Sequence, residues 1–142
     1  MRTVRQLLAS KTPEIHAIGP DAPVIDAVKL MADKRIGAVL VMQGGRLVGI
    51  VSERDYARKV VLQGRSSADT PVRDIMTADV VCIGLNDCTD RCMQIVTDSR
   101  IRHLPVCEGD QVVGIVSIGD LVKAVIEDQQ LELDQLQRYI AS

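Results

Sequence analysis

Gly49-Ile50-Val51-Ser52-Glu53-Arg54-Asp55 recurs as Gly114-Ile115-Val116-Ser117-Ile118-Gly119-Asp120, five of seven positions identical and 65 residues apart. Each copy reads as an apolar strand that ends at a serine and turns straight into a helix. Serine suits such a turn because its hydroxyl accepts from a backbone N–H that has no intrahelical partner. The aspartate lies about one turn, roughly 5 Å, further along the helix. A helix N-terminus attracts an anion, and an ionised carboxylate accepts two hydrogen bonds, as a vicinal diol requires. Ser52 and Ser117 are therefore candidates for a phosphate or ribose oxygen, and Asp55 and Asp120 for a ribose diol. A purely structural role competes with this, because Ser-x-x-Asp also opens helices simply as a cap with a favourable first-turn charge.

Working outward, a shift of 65 aligns residues 18–60 with 83–125 without a gap. About one position in three is identical, including Gly19/Gly84, Arg35/Arg100, Ile36/Ile101, Val41/Val106 and Gly44/Gly109. Matches in this order mark an internal duplication. In the first copy the pattern predicts a strand over 15–18, and a helix over 24–34 with Asp21 as its cap. A hairpin of strands 38–42 and 47–51 follows, then a helix over 53–62 with Tyr56, Ala57 and Val60 inward. The second copy predicts a strand over 80–83 and a helix to about Ser99, capped by Asn86 or Asp87. A hairpin over 103–107 and 112–116 and a helix from Ile118 complete it. Residues 4–8 and 72–76 are matching openers, and 63–70 is a polar linker. Gly49 and Gly114 mark either a hairpin glycine or a close approach by another backbone or a ligand.

The fold class expected is α/β (α+β), two βαββα repeats about a pseudo-twofold axis. Repeat 1 spans residues 1–65, repeat 2 spans 66–128, and 129–142 is a C-terminal helical extension. Val122, Val125, Ile126, Leu133, Leu136 and Ile140 keep a broken helical stripe that runs into this extension, read as a homodimer contact.

Composition narrows the function. The 142 residues are 46% hydrophobic with a net charge of −2, two Tyr, no Phe and no Trp. Without a basic run or aromatic platforms, no nucleic-acid polymer is expected as partner. No apolar stretch approaches the roughly 18 residues that span a membrane. The opening Met1-Arg2-Thr3-Val4-Arg5 has no signal-peptide core. The four cysteines all lie in the second half, none in a C-x-x-C. A reducing cytoplasm is the expected setting. Cys88 and Cys92 are i, i+4 on one helix, but no third ligand is spaced to complete a metal site, so a buried apolar role is expected. His103 and Cys107 share a strand face without a group to orient them, so no catalytic residue is assigned.

The two Gly-Ile-Val-Ser-x-x-Asp stretches, Arg100-Ile101-Arg102-His103-Leu104-Pro105-Val106, and the openers Asp74-Ile75-Met76-Thr77 and Val80-Val81 together resemble a tandem pair of CBS domains, named for cystathionine β-synthase. The resemblance covers residues 1–128. It implies a regulatory module that binds an adenine nucleotide (AMP, ADP, ATP or NAD(H)) in clefts between the paired repeats. It also implies a homodimer and, for a stand-alone pair, a signal passed to a partner protein. The alternative is a ligand-free dimerisation or interaction scaffold.

Within that resemblance the site takes shape around the two junctions. Val51 and Val116 lead into the serines. Arg54 and Arg58 are candidate phosphate partners. The resemblance adds Arg102 and His103, whose counterparts in the first repeat are Gly37 and Ala38. Gly119 stands where the first copy has Arg54, so the two sites differ in charge. Ala38, Val39, Leu104 and Pro105 are suitable apolar walls for an adenine. Thr12, Ile15, Thr77 and Val80 are implied by the family pattern.

Overall fold

A computed structural model describes residues 2–11 and 14–141. The elements run α1 (Val4–Ala9), β1 (Ala17–Ile18), α2 (Val24–Lys34), β2 (Ala38–Gln43), β3 (Arg46–Ser52) and α3 (Glu53–Tyr56). After α3 come a π turn, Ala57–Val61, and a 3-10 turn, Val72–Asp74. The second copy supplies α4 (Thr89–Ser99), β4 (His103–Glu108), β5 (Gln111–Ser117) and α5 (Ile118–Ala141). The α+β class and the duplicated helix–hairpin–helix order are as the sequence predicts.

In the first copy β1 lies parallel to β2, pairing Ala17 with Leu40, and β2 runs antiparallel to β3, pairing Ala38 with Ser52 and Val39 with Val51. In the second, β4 pairs with β5. The expected strand over 80–83 does not form. Ile83 alone makes a parallel bridge to Val106, because Ile83 is buried while Val81 and Cys82 on its N-terminal side are exposed.

The repeated Arg-Ile pairs have a local cause. Arg35 and Arg100 both end their helices in the left-handed region, at φ 54°. The following Ile36 and Ile101 donate back to Met31 O (3.0 Å) and Val96 O (3.2 Å). This is the Schellman closure, in which the residue beyond the cap also packs inward. Both isoleucines lie against the cores.

The chain divides into two compact units that do not follow the repeat boundaries. One comprises residues 14–81 with 109–112, and the other residues 2–11 with 82–108 and 113–141. The openers have changed places. Val4 N–H donates to Asp87 O (2.8 Å) and Arg5 N–H to Leu85 O (2.9 Å). Val4 and Leu7 join Ile83, Cys92, Val96, Leu104, Val106, Val116, Leu121 and Ala124 in one core. Conversely, Val72 N–H donates to Ala22 O (2.8 Å), and Val72 and Ile75 join Val24, Ala27, Met31, Val39, Val41, Val51 and Val60.

This exchange explains the strand glycines. A Cβ on Gly49 would lie 2.6 Å from Met76 Sδ and 3.1 Å from Thr77 O, and one on Gly114 would lie 2.8 Å from Leu8 Cδ2. Leu8 and Met76 are equivalent opener residues, so each glycine makes room for an opener.

Other local expectations need correction. Pro23 and Cys88 stand at the N-caps of α2 and α4, with no side-chain cap bond. Asp21 instead pairs with Arg73, and Asp87 Oδ2 accepts from Gly84 N–H at 2.7 Å. The helix expected over 53–62 is one α turn followed by the π turn. Val60 is buried and Tyr56 packs on the core, but Ala57 is exposed. Residues 129–141 continue α5 without a break.

Candidate functional site

Each unit carries one strand-to-helix junction. In the unit of residues 14–81, β3 ends at Ser52, whose Oγ accepts from Asp55 N–H at 3.2 Å. Asp55 Oδ2 reaches back, accepting from Ser52 N–H (2.9 Å) and Ser52 Oγ (3.0 Å). This reciprocal arrangement is a capping box. Lys59 Nζ lies 3.2 Å from Asp55 Oδ1 and donates to Ile75 O at 2.9 Å. Both carboxylate oxygens of Asp55 are thus engaged.

The register gathers several predicted residues around the end of β3. Ala38 is opposite Ser52, and Gly37 O accepts from Glu53 N–H (3.0 Å). Thr77 exchanges both backbone hydrogen bonds with Ile50, at 2.9 and 3.0 Å. Val39 and Val51 are brought there too, but both are 0% exposed and belong to the core. Arg54, Arg58 and Thr77 are exposed, Val80 is half-buried, and Ile15 is exposed ahead of β1. Thr12 lies outside the described residues.

In the other unit Asp120 Oδ2 accepts from Ser117 N–H (2.8 Å), and Ser117 Oγ accepts from Asp120 N–H (3.1 Å). Lys11 Nζ donates to the same Oδ2 at 2.7 Å and to Ile115 O at 3.0 Å. Among the described residues, Asp120 Oδ1 receives no hydrogen bond. Burial is the largest single influence on this carboxyl and opposes its ionisation. The hydrogen bonds and charge of Lys11, with those of Ser117, outweigh it and hold the pKa below the usual carboxylate value.

Ile118 N–H donates to Arg102 O at 2.8 Å, repeating the Glu53–Gly37 link. Arg102 is exposed and His103 half-buried, while Leu104, Pro105 and Val116 are buried. Leu104 and Val116 are core residues. Gly119 is exposed and shares an open face of α5 with Ile118, Val122, Lys123, Ile126 and Glu127.

Sequence reasoning missed both lysines. Lys59 had a signal, since i, i+4 residues meet on a helix face. Lys11 had none, being far from Asp120 along the chain. Among the described residues, no cluster of three or more His, Cys, Asp or Glu is arranged to hold a metal. No helix among them is long and apolar enough to cross a membrane.

The family model of the CBS domain matches residues 4–62 and 72–127. The chain is 46% identical over 125 residues to CBS domain-containing protein CBSX3, mitochondrial, of Arabidopsis thaliana, a match covering 84% of this chain and 61% of that relative. It therefore spans less than two thirds of that relative's length. A protein with CBS domains from Burkholderia ambifaria has a solved structure with TM-score 0.87 at 52% identity, covering 90% of this chain and 96% of that one. A CBS domain protein from Pyrobaculum aerophilum, solved in complex with AMP, has TM-score 0.75 at 25% identity, covering 84% and 89%. The duplicated junctions, the hairpins they follow and the two matched segments together place this chain in the CBS domain family, as a tandem pair.

Proposed function

We propose that the chain is a non-catalytic regulatory module that binds an adenosine-containing nucleotide (AMP, ADP, ATP or NAD(H)) and signals to a partner protein as a homodimer. One observation carries this reading: a serine cap, a carboxylate and a lysine are brought together twice, each where a hairpin strand turns into a helix. The AMP complex of the Pyrobaculum protein supports the ligand class.

The Asp120 junction is the better nucleotide site of the two. Its Oδ2 is held by Ser117 N–H and Lys11, which leaves Oδ1, among the described residues, as the acceptor for a ribose hydroxyl. Arg102, exposed beside the junction, supplies positive charge for a phosphate. Asp55, with Arg54 and Arg58 beside it, offers a second site whose carboxylate must first release Lys59. Ala38, Thr77, Val80 and Ile15 belong to that second proposal.

Calorimetry with AMP, ADP, ATP, NAD+ and NADH tests the reading. Binding in the micromolar range that weakens in Asp120→Ala is expected; absence of heat with every nucleotide overturns it. One observation favours the competing scaffold reading: both carboxylates already have partners within the protein. That reading predicts no heat with any nucleotide and an unchanged oligomer. A cytoplasmic setting completes the proposal, supported by four free thiols. Cell fractionation decides it, with an organelle as the opposing outcome in view of the mitochondrial name of the Arabidopsis relative.

A further inference from the structure

Two thiols meet where the second copy's incoming segment joins its hairpin. Ile83 N–H donates to Pro105 O (3.0 Å), and Ile83 O accepts from Cys107 N–H (2.8 Å). Ile83 and Val106, bridged in parallel, both face the core. Side chains alternate along extended backbone, so Cys82 and Cys107 leave on the face opposite that core. The Cys82 side chain is, after burial, the next influence on the Cys107 thiol. Cys82 is exposed and Cys107 half-buried. The remaining cysteines are placed differently: Cys88 and Cys92 lie at the start of α4, and Cys92 is fully buried.

We propose that Cys82 and Cys107 form a redox-sensitive pair that a peroxide oxidises to an intrachain disulfide. The exposed sulfur reacts first. Cys82 thiolate attacks one peroxide oxygen and the O–O bond breaks. Cys82 becomes a sulfenic acid, and the departing hydroxide takes up a proton as water. Cys107 Sγ then attacks the Cys82 sulfur. The S–O bond breaks, the S–S bond forms, and the Cys107 proton leaves with the hydroxyl as a second water. The thiols lose two electrons in all, and the peroxide gains them. Cys107 is kept out of the first role. Burial first, then the contact with Cys82, pushes its pKa up to about 11, so at neutral pH it stays a thiol that peroxide attacks slowly. The bond would tether the segment at Cys82 to β4. The inference is independent of nucleotide binding.

The test treats the full chain with hydrogen peroxide, blocks remaining thiols, and reads intact mass and non-reduced peptides. The expected result is a loss of two hydrogens per chain, a linked peptide pair containing Cys82 and Cys107, and reversal by a phosphine reductant. Cys82→Ser, at an exposed position, abolishes the link, as does Cys107→Ser. The double variant Cys88→Ser/Cys92→Ser retains it. A sulfinic acid on Cys82 without a link overturns the proposal. So does a Cys88–Cys92 bridge, or a link found only between chains.

Discussion

The junctions at Ser52 and Ser117 are built from the same five residues, and each aspartate ends beside a lysine, yet the lysines come from different parts of the chain. Lys59 sits one turn beyond Asp55 on the same helical segment. Lys11 comes from the opening of the chain to reach Asp120. The position equivalent to Lys59 is Ala124, which is 1% exposed in the core with Val4 and Leu7. A lysine there would bury its ammonium at high cost. Once α5 packs that face inward, the counter-charge has to arrive from elsewhere. The cap is a local property of Ser-x-x-Asp, whereas its neutralisation depends on what each helix buries.

The difference also has a chemical side. Asp55 has both oxygens occupied, while Lys11 and Ser117 share one oxygen of Asp120 and no other described residue bonds to its second. Substitution at the two carboxylates gives the largest expected effect. Asp120→Ala should weaken nucleotide binding by about 1.5–3 kcal/mol, roughly ten- to hundredfold, as for loss of a hydrogen bond to a charged group. Asp55→Ala should cost less by calorimetry. An equal or greater loss at Asp55 would break the comparison.

The strand glycines come next. In Gly49→Ala the new methyl meets Met76 and the backbone oxygen of Thr77, so about 1–3 kcal/mol of overpacking is expected in urea unfolding. Gly114→Ala meets only the tips of Leu8 and should cost less. The reverse order would mean that the α1 contact is the more rigid one.

Lys11→Met is expected to cost about 1 kcal/mol or less, since both partners are partly exposed. Its pH dependence is the sharper readout. The pKa of Asp120 is lowered on folding, so the pair stabilises the protein above the ordinary aspartate value of 3.8. That contribution is lost as pH falls through the lower folded value. The stability gap between wild type and Lys11→Met should be present at neutral pH and close in acid. A gap that persists unchanged in acid would assign the effect to packing of the lysine stem. Lys59→Met should be the mildest, about 0.3–0.5 kcal/mol, since Lys59 is the more exposed of the two lysines and its pair is a local i, i+4 one; a loss above that of Lys11→Met would reverse the ranking of the two lysines.

Much of this was legible in the residues, because local geometry leaves a local signature. The capping boxes follow from Ser-x-x-Asp, the hairpins from apolar runs flanking Gly44 and Gly109, and the α5 extension from its helical stripe. The helix caps were misread because Asp21 and Asp87 are good cap residues that found other partners, Arg73 and Gly84. Val39 and Leu104 looked like ligand walls because an all-apolar strand does not say which face is covered. In the structure they lie in the cores.

The duplication, its strand and helix pattern and the serine–aspartate junctions were determined by the sequence alone, since each depends on residues a few positions apart. The tertiary structure alone decided that the openers exchange cores and that Lys11 meets Asp120. It also decided which apolar residues remain accessible. Those outcomes arise from burying apolar surface between segments far apart in the chain, and hydrophobic burial is non-directional. It leaves no spacing in the sequence that would name the partner.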